Sequence, residues 1–174
     1  MGRFPDEVCM NAERWRQART SNRLSVEMDL IETWCPALRP VYFRAPHDDD
    51  RIDGIRYRVP VDSPGLHGHE TVTLELVVPE HYPSEVPRIY LHTPALPSSA
   101  FDAKAHMYRD SEDKLHMCIL FPEDWTEDYT LAGMMIRSVL WVNKYAEFLR
   151  SGTWPGRGQE HCTVCGKKTG ACTC

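Results

Sequence analysis

Apolar positions along this chain change period twice. Between about Asp6 and Thr33 the sequence is charged and helix-compatible, and Leu24, Met28 and Ile31 recur at helical spacing beside Val26, Leu30 and Trp34. The spacing predicts an amphipathic helix that Pro36 ends, because a proline disfavours helical backbone at the residue before it. From Val41 the period shortens. Val41-Tyr42-Phe43, Ile52 to Val59 and Thr71 to Val78 are runs rich in β-branched and aromatic residues, separated by Asp, Gly and Pro. They read as three strands of an antiparallel meander. Arg88 to Leu91 is a fourth strand, entered through HYPSEVP, where Pro83 and Pro87 impose a rigid extended path. Thr93 to Trp125, with prolines at 94, 97 and 122, shows few periodic runs and reads as a long loop of the kind that carries function. Helical spacing returns after Thr130, with Leu131, Met134, Met135, Val139, Val142 and Tyr145 on one face and Gly152 as the stop.

The pattern predicts an α+β domain over residues 1–157: N-terminal helix, four-stranded antiparallel meander, long loop, C-terminal helix. A short Cys-rich tail, 158–174, follows. No internal repeat or low-complexity tract interrupts it. The composition fits, since 174 residues that are 42% hydrophobic and 26% charged make one domain. A chain of this length buries roughly 70% of the surface it exposes when unfolded, so a core forms without a disulfide scaffold. The net charge of -5 argues against a protein that grips nucleic-acid phosphates. MGRFPDEVCM has no apolar run and does not read as a secretory signal. No stretch approaches the ~18 apolar residues of a spanning helix, so neither membrane nor nucleic acid is expected as a partner, and a cytoplasmic location is. Seven cysteines in a reducing compartment are then thiols, nucleophiles or metal ligands before they are disulfides.

Cys118 lies in KLHMCILFPEDW, at the end of the long loop and directly before Ile119, Leu120 and Phe121. A thiol serves as a nucleophile when it is partly exposed and its thiolate is favoured by neighbours. His106 and His116 are near in sequence; His116 is expected to be a bystander, with the charge it carries below about pH 6.5 as the alternative that would favour the thiolate. The alternative is a buried thiol that acts as a small hydrophobe, since free cysteine is among the most buried residue types.

The order of these parts carries a resemblance. A helix, a four-stranded meander, a Tyr-Pro-x-x-x-Pro segment, a long loop with one cysteine, a tryptophan and a helix is the layout of ubiquitin-conjugating enzymes. HYPSEVPRIYLH resembles their proline segment, His106 the histidine of their His-Pro-Asn motif, and CILFPEDWTEDYTL their catalytic cysteine, tryptophan and final helix start. HMY, CILFPEDW and GTWPG, with His161 shortly after, are more specifically similar to stand-alone conjugating-enzyme-like proteins of CBASS antiphage operons, where cGAS-like nucleotidyltransferases are found.

The resemblance implies a UBC-like fold and a transferase whose Cys118 takes the C-terminal carboxyl of a partner as a thioester and passes it to an amine. The implied cargo is the CBASS nucleotidyltransferase or a ubiquitin-like protein, with a non-catalytic binding module of the same fold as the further alternative. No glycine-rich phosphate loop is present, so an activating enzyme or activity in trans is implied. One position departs from the family: Tyr108 stands where the motif has asparagine, two residues further from the cysteine than usual. A tyrosine hydroxyl, like the asparagine, donates a hydrogen bond to an oxyanion. Its alternative role is aromatic packing of the loop. For His106 the resemblance implies holding the loop by hydrogen bonds more than acting as a base. Asp124, Glu127 and Asp128 form an acidic rim suited to orienting an amine, and Trp125 is expected to pack.

The tail reads HCTVCGKKTGACTC. Cys162 and Cys165 form a Cys-x-x-Cys turn, Gly166 and Gly170 let the chain fold back, and Cys172 and Cys174 complete a four-sulfur set for structural zinc, with His161 able to replace one sulfur. The alternatives are thiols without a specific role, or a tail that covers Cys118 and accepts its acyl group.

Overall fold

The structure is a computed structural model in which residues 23–45, 48–62 and 66–156 are described. The first helix, α1, spans Arg23–Trp34. Its expected extension back to Asp6 lies outside the described residues, as do Cys9 and the tail cysteines. Six strands follow: β1 (Val41–Ala45), β2 (Asp48–Pro60), β3 (Thr71–Val77), β4 (Arg88–Thr93), β5 (Met107–Arg109) and β6 (Leu115–Met117). They form one sheet in the order β1-β2-β3-β4-β6-β5. The four-strand expectation is therefore corrected to six. The segment read as a long loop contributes a short hairpin at the sheet edge, in register Met107↔Met117, Tyr108↔His116 and Arg109↔Leu115.

The second helix, α2, spans Leu131–Ser151. Thr130 caps it as its position suggested, accepting from Gly133 N at 3.0 Å and satisfying one of the amides that a helix start leaves open. At its end Gly152 sits at φ 71, in the left-handed region that glycine enters without a Cβ clash, and its amide returns to Phe148 O.

Strand alternation delivers the core. Ile55, Tyr57 and Val59 of β2, Val72, Leu74 and Leu76 of β3, and Ile89 and Leu91 of β4 are buried together with Leu131, Met135 and Val142 of α2. Each such side chain contributes about 1.5–3 kcal/mol on leaving water. One polar link crosses this interior: the Tyr57 hydroxyl lies 2.7 Å from Ser138 Oγ, which donates to Met135 O at 2.6 Å. α1 departs from its expected apolar stripe. Its buried positions are Arg23, Glu27 and Ile31, while Leu24 and Met28 are only half-buried. Two charged side chains thus enter the interior from α1.

Candidate active site

Cys118 follows β6 directly and is half-buried. Its amide donates to the carbonyl of His106 at 2.8 Å, which extends the β5–β6 pairing by one step. The hairpin turn that absorbs the long His106–Cys118 spacing is built on Asp110. Oδ1 of Asp110 accepts from the amides of Glu112 and Lys114, both at 2.9 Å, and Oδ2 accepts from the Tyr90 hydroxyl at 2.9 Å. An aspartate that serves its own turn in this way fixes register from the sequence outward.

His106 has φ 53 and its carbonyl takes a second bond, from Trp141 Nε1 of α2 at 3.0 Å. Its ring lies 4.8 Å from that of Trp154, just beyond α2. Through its backbone carbonyl His106 therefore joins the cysteine strand to the last helix. Trp154 was not singled out from the sequence as a site residue, although GTWPG carried part of the resemblance.

Tyr108 comes to the cysteine from β5. Its hydroxyl is buried and acts on the Cys118 thiol, favouring the thiolate. Burial pushes the Cys118 thiol up to about 11, the bond from Tyr108 opposes that rise, and the charge of Glu123 adds to it. At pH 7 a thiol with that pKa is ionised in about one molecule in 10⁴.

His116 lies between the rings of Tyr90 and Tyr108, at 5.7 and 5.5 Å. Desolvation, followed by the charge of Arg88, lowers its pKa to about 4, so it is neutral near pH 6.5 and the alternative of a thiolate-favouring cation falls away. Its part is packing. Trp125 packs as expected, its Nε1 donating to Pro83 O at 2.8 Å and its ring stacked on Tyr129 at 5.5 Å. In the acidic rim Glu123, Glu127 and Asp128 are exposed and Asp124 is half-buried.

Beside the cysteine runs a cavity of about 550 Å³, lined among others by Tyr108, His116, Met117, Ile119, Leu120 and Met134. Both chain neighbours of Cys118 form part of its wall. Cys35, by contrast, is core: burial pushes its thiol up to about 11, and its Sγ faces Ala132 O at 3.8 Å. Among the described residues no His, Cys, Asp and Glu group is arranged to hold a metal, and no helix is long and apolar enough to cross a membrane.

A family model described as type II CBASS E2 protein matches residues 60–162, from the end of β2 to the first tail cysteine. The chain belongs to that family. Membership carries a conjugating-enzyme-like, transferase-type role in CBASS, among CBASS components or ubiquitin-like proteins, and agrees with the UBC-like order of helix, antiparallel sheet and helix. Of solved structures, a ubiquitin conjugating enzyme E2 from Plasmodium falciparum aligns at 13% identity and a TM-score of 0.46, over 70% of this chain and 96% of that chain. No curated protein matches. The family match includes His106, Tyr108 and Cys118 and ends before Cys165, Cys172 and Cys174.

Proposed function

We propose that this CBASS E2 protein is an acyl carrier. Cys118 accepts the C-terminal carboxyl of a partner as a thioester and hands it to an amine. The observation that supports the reading is a half-buried Cys118 whose amide is held by the His106 carbonyl and whose thiol is influenced by Tyr108 and Glu123, with a cavity of about 550 Å³ lined by its chain neighbours. In the capture step Sγ bonds to the acyl carbon, the leaving group departs from it, and the thiol proton goes to the leaving group. A thiol does not displace hydroxide from a free carboxylate at useful rates, so the carboxyl arrives activated, from an adenylating activity in trans. In the transfer step the amine attacks the same carbon, Cys118 leaves as thiolate and recovers a proton from the amine. In this reading Tyr108 Oη is the donor to the oxyanion of both steps. The carried protein is the cGAS-like nucleotidyltransferase of the system, with a ubiquitin-like protein as the alternative. The high pKa of the thiol favours a second reading, a binding module in which Cys118 does no chemistry.

Intact mass of the protein produced with its CBASS partners separates these readings. The wild type is expected to carry a thiol-labile adduct with the mass of its cargo, Cys118→Ser a thiol-resistant ester, and Cys118→Ala nothing. An adduct that persists in Cys118→Ala sinks the carrier reading, and no adduct in any combination leaves the binding module.

The tail is proposed to hold a structural zinc ion through Cys162, Cys165, Cys172 and Cys174, because four thiolates on two short turns suit tetrahedral coordination. Elemental analysis of the full chain is expected to find about one zinc per molecule, lost when the four cysteines become serine.

A further inference from the structure

The cavity beside Cys118, about 550 Å³, is of the size that encloses a small organic ligand, roughly 300–1,000 Å³. Its walls carry little charge. Val86, Met117, Ile119, Leu120 and Met134 supply apolar wall. Glu85 and Arg88 are the charged residues of its lining, opposite in sign, and both are exposed. His116 in the same lining is neutral near pH 7, its pKa lowered to about 4 by desolvation and Arg88. Three lining residues adjoin the thiol: Met117 and Ile119 precede and follow Cys118, and Tyr108 acts on the thiol through its hydroxyl.

We propose that this cavity takes an apolar side chain from one of the last two residues of the acyl chain on Cys118, and so selects the cargo by its C-terminal sequence. The proposal rests on the acyl-carrier reading. Reach sets the two-residue limit. Consecutive residues stand about 3.8 Å apart, so the wall on either side of Cys118 begins one such spacing away, and two residues of an attached chain cover about 7 Å. Chemistry sets the class. A carboxylate or an ammonium group entering the cavity gives up water and meets Glu85 and Arg88 together, so neither sign is favoured. An apolar side chain gains by leaving water, and two glycines bring no side chain to fill the space.

Two wall residues can be changed without cutting into the core. Val86 comes from the proline segment and Leu120 from the segment after the cysteine; both are half-buried and lie outside the strands and helices. Met117 and Met134 are core as well as wall, so a change at either mixes packing with selectivity. A polar group at Val86 or Leu120 lowers the gain from burying an aliphatic side chain against it, because that group must then be desolvated too.

The test loads full-length protein at Cys118 from mercaptoethanesulfonate thioesters of N-acetylated glycylglycine, leucylglycine, glycylleucine, aspartylglycine and lysylglycine, and follows a single turnover by intact mass. Sγ bonds to the acyl carbon, and mercaptoethanesulfonate leaves with the thiol proton. Each rate is divided by that of free N-acetylcysteine with the same thioester, which removes the chain's intrinsic reactivity. Leucylglycine or glycylleucine is expected to load at least about tenfold faster than the glycyl, aspartyl and lysyl chains, the discrimination an apolar pocket gives an aliphatic side chain. Val86→Asp and Leu120→Asn are each expected to shrink that ratio several-fold, and their separate segments keep the test open if one variant folds poorly. Equal corrected rates for all five chains, or a leucine preference that both variants leave unchanged, overturn the cavity's role while the carrier reading stands. Failure of Cys118 to take any of the chains overturns both.

Discussion

Tyr108→Phe is expected to slow both loading and discharge of Cys118 by about 10²-fold, the usual loss when a preorganised oxyanion donor is removed. The phenyl ring keeps its place 5.5 Å from His116, so the hairpin stays folded and only the hydroxyl goes. The sign follows from the electrostatics. The Tyr108 hydroxyl favours the thiolate against a burial that has already pushed the thiol to about 11. Removing it raises the thiol further, and in the transition state it also removes the donor to the oxyanion. Single-turnover loading from a peptide thioester, read by intact mass, checks both steps. Rates within twofold of wild type would hand the donor role to backbone amides and leave Tyr108 as packing.

Trp141→Ala is expected to have the largest effect on stability, about 3–5 kcal/mol, because a large buried ring leaves a cavity and a lost donor together. Trp141 stacks on Tyr145 at 4.9 Å, meets Trp154 at 6.0 Å and donates to the His106 carbonyl. Single domains are stable by only about 5–15 kcal/mol, so the loss is a large share of the total. Trp141→Phe isolates the indole N–H and should cost about 1–2 kcal/mol. Urea unfolding measures both, and alkylation of Cys118 in each variant reports whether the His106 carbonyl still holds the cysteine strand. A cost below about 1 kcal/mol for Trp141→Ala would mean that the His106 anchor is not made through α2.

The pattern of the chain made some of this legible and hid the rest for physical reasons. The first four strands and α2 are long enough for period to show, and Thr130 and Gly152 mark the ends of α2 through backbone chemistry. β5 and β6 have three residues each, too few for a period, and they exist because Asp110 builds the turn between them. Cys118, His106 and Tyr108 were visible because the motifs around them resemble those of a known family. Glu27 was not. A glutamate in a charged helix reads as solvent-facing, and its burial is set by Tyr82 and Leu131, far along the chain. For His116 the sequence left a cationic alternative open beside a bystander's part, and desolvation and the charge of Arg88 remove that alternative.

The sheet order has a consequence for the way the cysteine is presented. β2 and β3 share seven register pairs, from Gly54↔Val77 to Pro60↔Thr71, whereas β6 joins β4 through one, Tyr90↔His116. Local opening follows the number of bonds that must break, and hairpins at a sheet edge exchange their amides before the centre does. The hairpin that leads to the nucleophile is thus held less by its backbone than by side chains: one strand pair, the Asp110 carboxylate and the His106 carbonyl join it to its neighbours, while Met107, Leu115 and Met117 sink into the core and Arg109 donates to Ser98 O. Its amides are expected to exchange before those of β2 and β3, and hydrogen exchange reads that order.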